Sequence, residues 1–600
     1  MTTLINALRN ATGNGARNYA GIANRKPWLF VTMFVLWGLL VAWFHPRLSS
    51  ILDDASSPFE WVSMAYFVVF VEIAWLYGVY NICIVLFSLI DRYMPKQAFV
   101  YPEAMPDTPV AMLYTTCNDF VEKSALSCLT LDYENYKLYI LDDSSKPEFK
   151  QRVDRFAAEH GERVQVIRRE NRQGYKAGNL NHALSRYIAE PLFAIVDADE
   201  ILPRNFLRRL VPQLMADPNC GFVQANHICA KEDDNKLKSD MHLGVDIHWK
   251  WYQPLRNRFG FVMFLGHGAL LRTSCWKQVG GFPELVSEDL AYAISIRELG
   301  YYGTFAEDVV CMEDFPDSVR SFRVRHIKWT RGTCEFLANC MGGLVKSPNI
   351  SWVEKLDILF PTVNLPMTFF FFIFMINSGI LMPFLMGQQQ DLTLVIGGSE
   401  YIMPMIAMPE FFVKLYDWDF FAVTVFTIMA PVLCFILALS NRPMRLFKFL
   451  SHSTALYATL SPITSIAVFG YLLTGKARFL VTGDSSDAVE KGNGGQRESW
   501  WARASRFMAE THPNHKGLRI AEFVAGVAFL AVALFTFQIA FIGLAIGFML
   551  MPFMHHYGWD HALTRTLVWL PFSMILLGIF LGGMGMFGMY PVMFGYGFHF

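Results

Sequence analysis

The stretch LFAIVDAD at residues 192–199 decides how the middle of the chain folds, because a short apolar run ends there in two aspartates. The stretch KLYILDDSS at 137–145 has the same form. Other strand-like runs lie at 110–116 and 164–167, and helical patterns lie between the strands, at 148–159 and 178–188. This alternation predicts a parallel sheet with crossover helices. Ligands bind beyond the carboxyl ends of such strands, so we expect both acidic motifs at one edge.

Composition predicts that this α/β domain belongs to a polytopic membrane protein. Of the 600 residues, 53% are hydrophobic and only 17% are charged, which suits many spans around one substantial soluble domain. The formal net charge of −1 gives no bulk nucleic-acid footprint. The ten cysteines form no CxxC pair, so free thiols are expected rather than a disulfide framework or a zinc site.

Hydropathy divides the chain into five parts. The expected parts are a cytoplasmic segment with two spans (1–90), a soluble α/β domain (91–355), two spans (356–440), an interfacial helix with cytosolic loops (441–517), and C-terminal spans (518–600). The first segment is basic and the next link acidic, which predicts a cytoplasmic N-terminus and a cytoplasmic α/β domain. Six crossings are favoured, with seven as the main alternative. Residues 518–554 form either one long tilted helix or two.

A third acidic motif, Ser287-Glu288-Asp289, follows a Gly-Phe-Pro turn and opens an amphipathic run. Helix N-termini favour negative charge, so ordinary capping would explain the pair. The other acidic motifs favour a site instead. Asp197 and Asp199 offer the oxygen ligands that Mg²⁺ or Mn²⁺ prefers, with a solvated turn as the alternative. Lys176 precedes a helix pattern and suits a nucleotide diphosphate, unless it is simply solvated.

Several motifs resemble the membrane-embedded processive glycosyltransferases of family 2, which include cellulose, curdlan, hyaluronan and chitin synthases. The resemblance covers about residues 105–335 and continues through the following membrane region to about 484. It is carried by PVAMLYTTCND (109–119), LDDSS (141–145), KAGNLN (176–181), DAD (197–199), FLGHGALLR (264–272) and SED (287–289). It implies a cytosolic GT-A, Rossmann-like domain inserted in a polytopic α-helical membrane protein.

The resemblance also implies a role for each motif. Asp289 would be the general base of an inverting transfer, with Glu288 beside it. Asp199 and Asp197 would hold the metal, and Lys176 would add positive charge on the donor side. The implied donor contacts are Thr115, Asp119, Asp142, Asp143, Lys176 and Asp197, with Asp142 or Asp143 contacting uracil. His267 lies in the acceptor-side segment.

Two motifs depart from the family pattern. The QxxRW motif appears as Arg325-His326-Ile327-Lys328-Trp329. Trp329 keeps the aromatic face on which an acceptor sugar could stack, and Arg325 and Lys328 could still hold a diphosphate, although lysine cannot reproduce an arginine fork. The gating loop FxVTPK appears as FLVTGD at 479–484, matching at Phe479, Val481 and Thr482, with Thr482 also on the donor side.

The leading hypothesis is a processive synthase of the bacterial inner membrane. It would polymerise a β-glucan from UDP-glucose and pass the chain through its own helices, among membrane lipids. The alternatives are transfer of a single sugar to a lipid acceptor, and a transporter whose cytoplasmic domain merely binds nucleotide. No motif of a cyclic-di-GMP-binding β-barrel follows the last span. Sugar identity, linkage, product length, accessory export proteins and homo-oligomer formation stay open.

Overall fold

The computed structural model describes residues 26–94, 107–230, 235–396, 398–407, 415, 417–475, 501, 512–536, 538–586, 592–593 and 597–598. The strands are β1 Val110–Thr116, β2 Tyr136–Asp142, β3 Val164–Ile167, β4 Leu192–Asp197, β5 Cys220–Cys229, β6 Ala269–Arg272, β7 Tyr302–Glu313, β8 Gln388–Ile396, β9 Ser399–Ala407, β10 Val592–Met593 and β11 Gly597–Phe598.

The helices fall into a soluble set and a membrane set. Before and within the soluble domain they are α1 Trp28–Ser49, α2 Pro58–Tyr93, α3 Glu122–Ser127, α4 Pro147–His160, α5 Tyr175–Arg186, α6 Phe206–Met215, α7 Lys236–Ile247, α8 Gln253–Phe259, α9 Thr273–Val279, α10 Glu288–Glu298 and α11 Val319–Lys346. After it they are α12 Trp352–Ile376, α13 Met382–Met386, α14 Trp418–Met429, α15 Leu433–Ala438, α16 Pro443–Ala458, α17 Ser461–Thr474, α18 Lys516–Phe535, α19 Ile539–Met549, α20 Met551–Tyr557, α21 Ala562–Leu567 and α22 Leu570–Met586.

A seven-stranded mixed sheet in the order β3-β2-β1-β4-β6-β5-β7 forms the soluble domain. Strands β1 to β4 pair in parallel, as the sequence predicts. Strand β6 runs antiparallel to both β4 and β5. The predicted edge is confirmed, because the ends of β2 and β4 flank the end of β1, where Thr116 pairs with Asp142 and Thr115 with Asp197.

The sheet is buried on both faces, which explains its unbroken apolar runs. In β4, Phe193 and Ile195 pack in one hydrophobic cluster, whereas Leu192, Ala194 and Val196 pack in the cluster on the other face. A strand with helices on both sides needs no polar face, so it shows no alternation in sequence. This GT-A-like mixed sheet is the scaffold that carries the site.

Eight helical segments among the described residues are long and apolar enough to cross a membrane. They are Trp28–Asp54, Pro58–Tyr93, Trp352–Met386, Trp418–Ala438, Pro443–Thr474, Lys516–Phe535, Ile539–Tyr557 and Ala562–Leu581. The region 518–554, left open by the sequence, contains two helices, α18 and α19. The segment read as interfacial, 443–474, is two helices, and 72% of its apolar window is buried inside the protein. The number of crossings stays a prediction.

Buried ion pairs fix the soluble domain to the membrane helices. Arg297 of α10 donates from its Nε and Nη2 to Glu354 of α12, at 2.9 and 3.2 Å. Arg323 of α11 pairs with Glu522 of α18 at 2.9 Å, and both side chains are almost completely buried. Breaking such a pair leaves a buried charge and costs roughly 3–5 kcal/mol. Two buried ion pairs therefore join the soluble domain to the membrane helices.

Candidate active site

The aspartates after β2 are already paired with arginines. Arg169 donates from Nε and Nη2 to the two carboxylate oxygens of Asp143, at 2.9 and 2.6 Å. Asp142 accepts Arg168 Nε at 2.7 Å and the backbone N–H of Ser144 at 2.9 Å. Both carboxylates are almost fully buried. These arginines were not identified from the sequence. Contact of Asp142 or Asp143 with a nucleobase stays a prediction, and such contact requires an arginine to move.

Asp119 shapes the turn that follows β1. Its Oδ1 accepts the Thr116 hydroxyl at 2.8 Å and the backbone N–H of Cys117 at 2.6 Å. The turn passes through Asn118, whose φ of 62° is left-handed, a conformation that asparagine tolerates better than most residues. Burial raises the pKa of Asp119. Its second oxygen has no hydrogen bond among those described, so its predicted donor contact remains untested.

Lys176 joins the donor side to the acceptor side. Its Nζ contacts Asp197 Oδ1, which also accepts the Thr115 hydroxyl at 2.9 Å, and donates to the carbonyl of Gly266 at 3.0 Å. The sequence predicts that Lys176 precedes a helix. The structure corrects this, because helix α5 begins at Tyr175 and Lys176 lies in its first turn. The reason is a left-handed turn at Gly174 (φ 70°) and Tyr175 (φ 48°), which starts the helix three residues early.

Asp197 and Asp199 differ in backbone and surroundings. Asp197 ends β4, whereas Asp199 lies in the turn that follows the strand. Burial opposes ionisation of Asp197, but the positive charges of Lys176 and His267 together outweigh it and lower the pKa of Asp197. Desolvation between the walls of the cleft and the negative charge of Asp197 raise the pKa of Asp199 to about 7, although its side chain is exposed at the mouth of the cleft. A divalent cation between them would reverse that effect.

Glu200 lies directly behind this turn and was missed in the sequence, although it follows the DAD motif immediately. It is fully buried, and its Oε1 contacts His227 Nε2 at 2.8 Å. Together with Cys311 these side chains bring three potential ligand atoms within 4.8 Å of one another. The direct contact between Glu200 and His227 already satisfies the carboxylate. The cluster is therefore interpreted as a buried Glu200–His227 contact directly behind the turn.

His267, predicted on the acceptor side, lies among carboxylates instead. Its ring nitrogens lie 3.4 Å from Glu200 and 3.7 Å from Glu313. Burial opposes protonation, but Glu200, Asp197 and Glu313 raise the pKa of His267 to about 10. The imidazolium thus partly neutralises the acidic wall of the cleft. Its contact with an acceptor remains a prediction.

Glu288 and Asp289 open helix α10, as the sequence predicts. Burial and the neighbouring Asp289 raise the pKa of Glu288 to about 8, and burial also raises the pKa of Asp289. Asp289 Oδ2 faces Gly266: a Cβ added there would lie 3.3 Å from it. Because the Gly266 carbonyl accepts a hydrogen bond from Lys176, Asp289 and Lys176 both lie next to this glycine.

Two polar side chains fix the loop that carries Asp289. Asn181 Oδ1 accepts the Phe282 N–H at 2.8 Å and the Trp276 indole N–H at 2.9 Å, while its amide donates to the Phe282 carbonyl. Glu335 of α11 accepts the N–H of Val286 at 2.8 Å. Neither residue was assigned this role from the sequence, because the partners are 49 to 101 residues apart.

The altered motif on α11 presents two cations and an aromatic face. The Arg325 guanidinium lies 4.7, 5.5 and 4.8 Å from the ring centroids of Phe315, Phe322 and Trp329. Trp329 is 50% exposed, so its ring remains available to a ligand. Burial lowers the pKa of Lys328, whereas the negative charges of Asp197 and Glu288, on opposite sides of the cleft, act to raise it. The predicted gating residues Phe479, Val481 and Thr482 lie outside the described residues.

Comparison with known proteins agrees with this arrangement. The family model "Glycosyl transferase family group 2" matches residues 192–473. Glucomannan 4-beta-mannosyltransferase 2 of Arabidopsis thaliana is 26% identical over 285 residues, which are 45% of this chain and 52% of that protein. Glucomannan 4-beta-mannosyltransferase 1 of Cyamopsis tetragonoloba is 23% identical over 310 residues, 50% of this chain and 59% of that protein. The chain thus spans little more than half the length of these relatives.

Among solved structures, a mannosyltransferase from Pyrobaculum calidifontis, in complex with GDP-Man and Mn²⁺, aligns with a TM-score of 0.39 and 18% identity. The alignment covers 70% of this chain and 99% of that one. The family match begins at β4, includes the DAD and SED motifs and α11, and ends in the helix pair α16–α17. Residues 192–473 are thus similar to family 2 glycosyltransferases, and they lie among helices long and apolar enough to cross a membrane.

Proposed function

We propose that the protein is an inverting hexosyltransferase that builds a β-linked polysaccharide from a nucleoside diphosphate sugar. The observation that carries this proposal is the convergence at Gly266. There Asp289, with its raised pKa, faces Lys176, which already holds Asp197. Glycosyl transfer requires a general base for the acceptor hydroxyl and, next to it, a positively charged site for the diphosphate of the donor.

The carboxylates of the DAD turn fit a divalent cation. Asp197 and Asp199 supply oxygen ligands, and the raised pKa of Asp199 reflects uncompensated negative charge in the cleft. Mg²⁺ or Mn²⁺ prefers such ligands and commonly shares them with diphosphate oxygens. A bound cation would offset the charge that develops on the departing nucleoside diphosphate. Lys176 and Lys328, which both act electrostatically on Asp197, would hold the same phosphates.

Asp289 carries the proton transfer. The acceptor hydroxyl oxygen forms a bond to the anomeric carbon, while the bond from that carbon to the diphosphate oxygen breaks on the opposite face. The hydroxyl proton moves to Asp289. A carboxylate whose pKa is raised is a stronger base than an ordinary aspartate. The exposed ring of Trp329 would stack the acceptor sugar.

Two donors are candidates. The motif resemblance favours UDP-glucose and a β-glucan, which requires uracil to reach Asp142 or Asp143. The matched relatives are named as mannosyltransferases, which favours a mannosyl donor. Arg168 and Arg169, which pair with Asp142 and Asp143, narrow the space for the nucleobase of the donor. The choice of donor therefore depends on which nucleobase fits beside these arginines.

The polymer would leave through the membrane helices. The supporting feature is the fixed attachment of the catalytic domain to α12 and α18, which keeps the acceptor end beside the spans. A bacterial inner membrane with the catalytic domain in the cytoplasm suits the basic first segment. Transfer of a single sugar to a lipid acceptor is the alternative, because it needs the same base and donor site without a channel.

The test uses full-length protein in lipid nanodiscs with Mn²⁺ or Mg²⁺ and either UDP-[¹⁴C]glucose or GDP-[¹⁴C]mannose. Products are sized and digested with linkage-specific glucanases and mannanases. We expect high-polymer label from one donor, absent in Asp289→Asn and present in the exposed control Asp107→Asn. Label only in a small lipid-soluble product would replace polymerisation with single transfer. Donor turnover that persists in Asp289→Asn would remove the assigned base.

A further inference from the structure

Four cationic side chains gather where the catalytic domain meets the membrane helices. We call Arg442, Arg445, Lys448 and Arg565 the basic cluster. Arg442 immediately precedes α16, and Arg445 and Lys448 lie in its first two turns; α16 begins five residues after the candidate span that ends at Ala438. Arg565 lies near the start of the last candidate span. The cluster therefore lies at the ends of two spans, on the side that faces the catalytic domain.

Asp240 of α7 is the centre on which these side chains converge. It is 8% exposed and accepts Arg565 Nη1 at 2.6 Å and the Trp559 indole N–H at 3.0 Å. Its carboxylate also lies 2.7 Å from Lys448 Nζ and 3.1 Å from His452 Nδ1. Two permanent cations thus share one carboxylate before Arg442 and Arg445 are considered.

The positive charge exceeds what the described contacts neutralise. Arg445 contacts His242, a second basic side chain, at 3.3 Å. The first turn of α16 contains no acidic residue, although the positive end of a helix dipole disfavours cations and attracts anions. The helix dipole and the surplus of cations both favour an anion at this position.

Apolar side chains border the same surface. Met444, Leu437 and Leu563 are 76%, 44% and 39% exposed next to the cations. A soluble anion gains nothing from this border, whereas a phospholipid can place acyl chains against it. Phe447 stacks on Trp569 with ring centroids 5.6 Å apart, which keeps α16 against the final helix. The site is therefore preformed by packing between α16 and α22.

We propose that the basic cluster binds the phosphate of an anionic phospholipid headgroup at the membrane boundary. Lys448 and Arg565, both partly exposed, bind the phosphate from the Asp240 side, and Arg445 binds it from the start of α16. Basic pockets between spans on the cytoplasmic side are typical headgroup sites. Occupation would join α16 and α21 through one ligand, beside Asp240 of α7.

Native mass spectrometry of the full-length protein tests this inference without any enzymatic readout. Protein is released from micelles that contain phosphatidylcholine with or without phosphatidylglycerol. We expect wild type to retain one phosphatidylglycerol more strongly than phosphatidylcholine. The Arg445→Gln/Lys448→Gln variant should retain it about 10- to 30-fold less, since each cation near the surface contributes about 1 kcal/mol.

Two further variants make the outcome unambiguous. Arg442→Gln/Arg445→Gln leaves every Asp240 contact in place and should still weaken retention. Lys346→Gln/Arg186→Gln removes two exposed cations elsewhere and should not. Equal retention in all variants overturns the proposal. Suppression of phosphatidylglycerol retention by 10 mM inorganic phosphate, with equal occupancy by phosphate alone, would assign the site to a soluble anion and overturn the lipid assignment.

Discussion

The donor and acceptor sides of the cleft carry the same kind of side chain in opposite electrostatic states. On the donor side, three strand-end aspartates each contact a cation of their own domain: Asp142 with Arg168, Asp143 with Arg169, and Asp197 with Lys176. On the acceptor side, Glu288 is buried, the adjacent Asp289 is half-buried, and the pKa values of both are raised. A neighbouring cation favours the charged form of a carboxylate, whereas burial beside a second carboxylate disfavours it.

The contrast follows from the backbone. Parallel strand ends point their side chains into a shared edge, where residues from neighbouring loops can reach them. The first turn of a buried helix holds adjacent side chains close together, and the helix N-terminus only partly offsets their repulsion. This difference is consistent with the proposal that the strand edge binds the donor and the helix start accepts the proton.

Removal of the carboxylate at Asp289 should give the largest effect. Asp289→Asn keeps the size and the hydrogen-bonding shape but cannot accept the proton, so we expect turnover to fall by about 10²- to 10⁴-fold. Donor affinity, measured by equilibrium titration of nucleoside diphosphate, should change little. A loss of donor affinity equal to the loss of turnover would place Asp289 on the donor side and contradict the proposed difference between the two sides of the cleft.

Asp199→Asn should have the next largest effect. Loss of a metal carboxylate should lower turnover by about 100-fold or more, since even outer-shell partners cost roughly 10- to 100-fold. The Mn²⁺ concentration for half-maximal activity should rise in parallel, and chelation by EDTA should abolish activity of the wild type. An unchanged Mn²⁺ dependence would show that Asp199 is not a ligand.

Asn181→Ala should have a smaller effect, because Asn181 acts only through the loop that carries Asp289. Three hydrogen bonds are lost and Phe282 can shift. We expect about a tenfold loss of turnover, below the roughly 100-fold that a 1 Å misplacement can cost. Asn181→Asp keeps the accepting oxygens and should recover part of the activity. Equal damage from both variants would contradict a positioning role.

Glu288→Gln should give the smallest effect, a pH-dependent change in thermal stability. Between its ordinary pKa near 4.5 and its raised value of about 8, Glu288 keeps its proton in the folded state while the unfolded chain has lost it. Stability of the wild type therefore falls as pH rises through this window. The variant cannot ionise, so its Tm should exceed that of the wild type by a few degrees at pH 8 and by less at pH 5.

The control for this measurement is Glu148→Gln, because Glu148 is exposed on α4. Metal-free buffer is needed, since a cation in the cleft would stabilise the charged form. Parallel Tm curves for wild type and Glu288→Gln from pH 5 to pH 8 would show that the crowded pair does not titrate as described.

Much of the site was predictable because its parts are local in sequence. The strand-turn pattern of 192–199 and the helix start at Glu288 were predicted from short stretches and confirmed by the structure. The early start of α5 was not, because it depends on left-handed backbone at Gly174 and Tyr175. Strands β5 to β7 were also missed, since β6 runs against its neighbours and breaks the simple β/α alternation.

The sequence by itself determined the soluble domain, the membrane segments and the three acidic motifs, because periodicity and strand-end chemistry act over a few residues. Only the tertiary structure decided which charges meet. Glu200 with His227, Asn181 with the Phe282 turn, and Arg323 with Glu522 join residues 27, 101 and 199 positions apart. Such pairs leave no periodic signal, because their partner is chosen by packing of the whole chain. The same packing moved His267 among the carboxylates and gathered the basic cluster around Asp240.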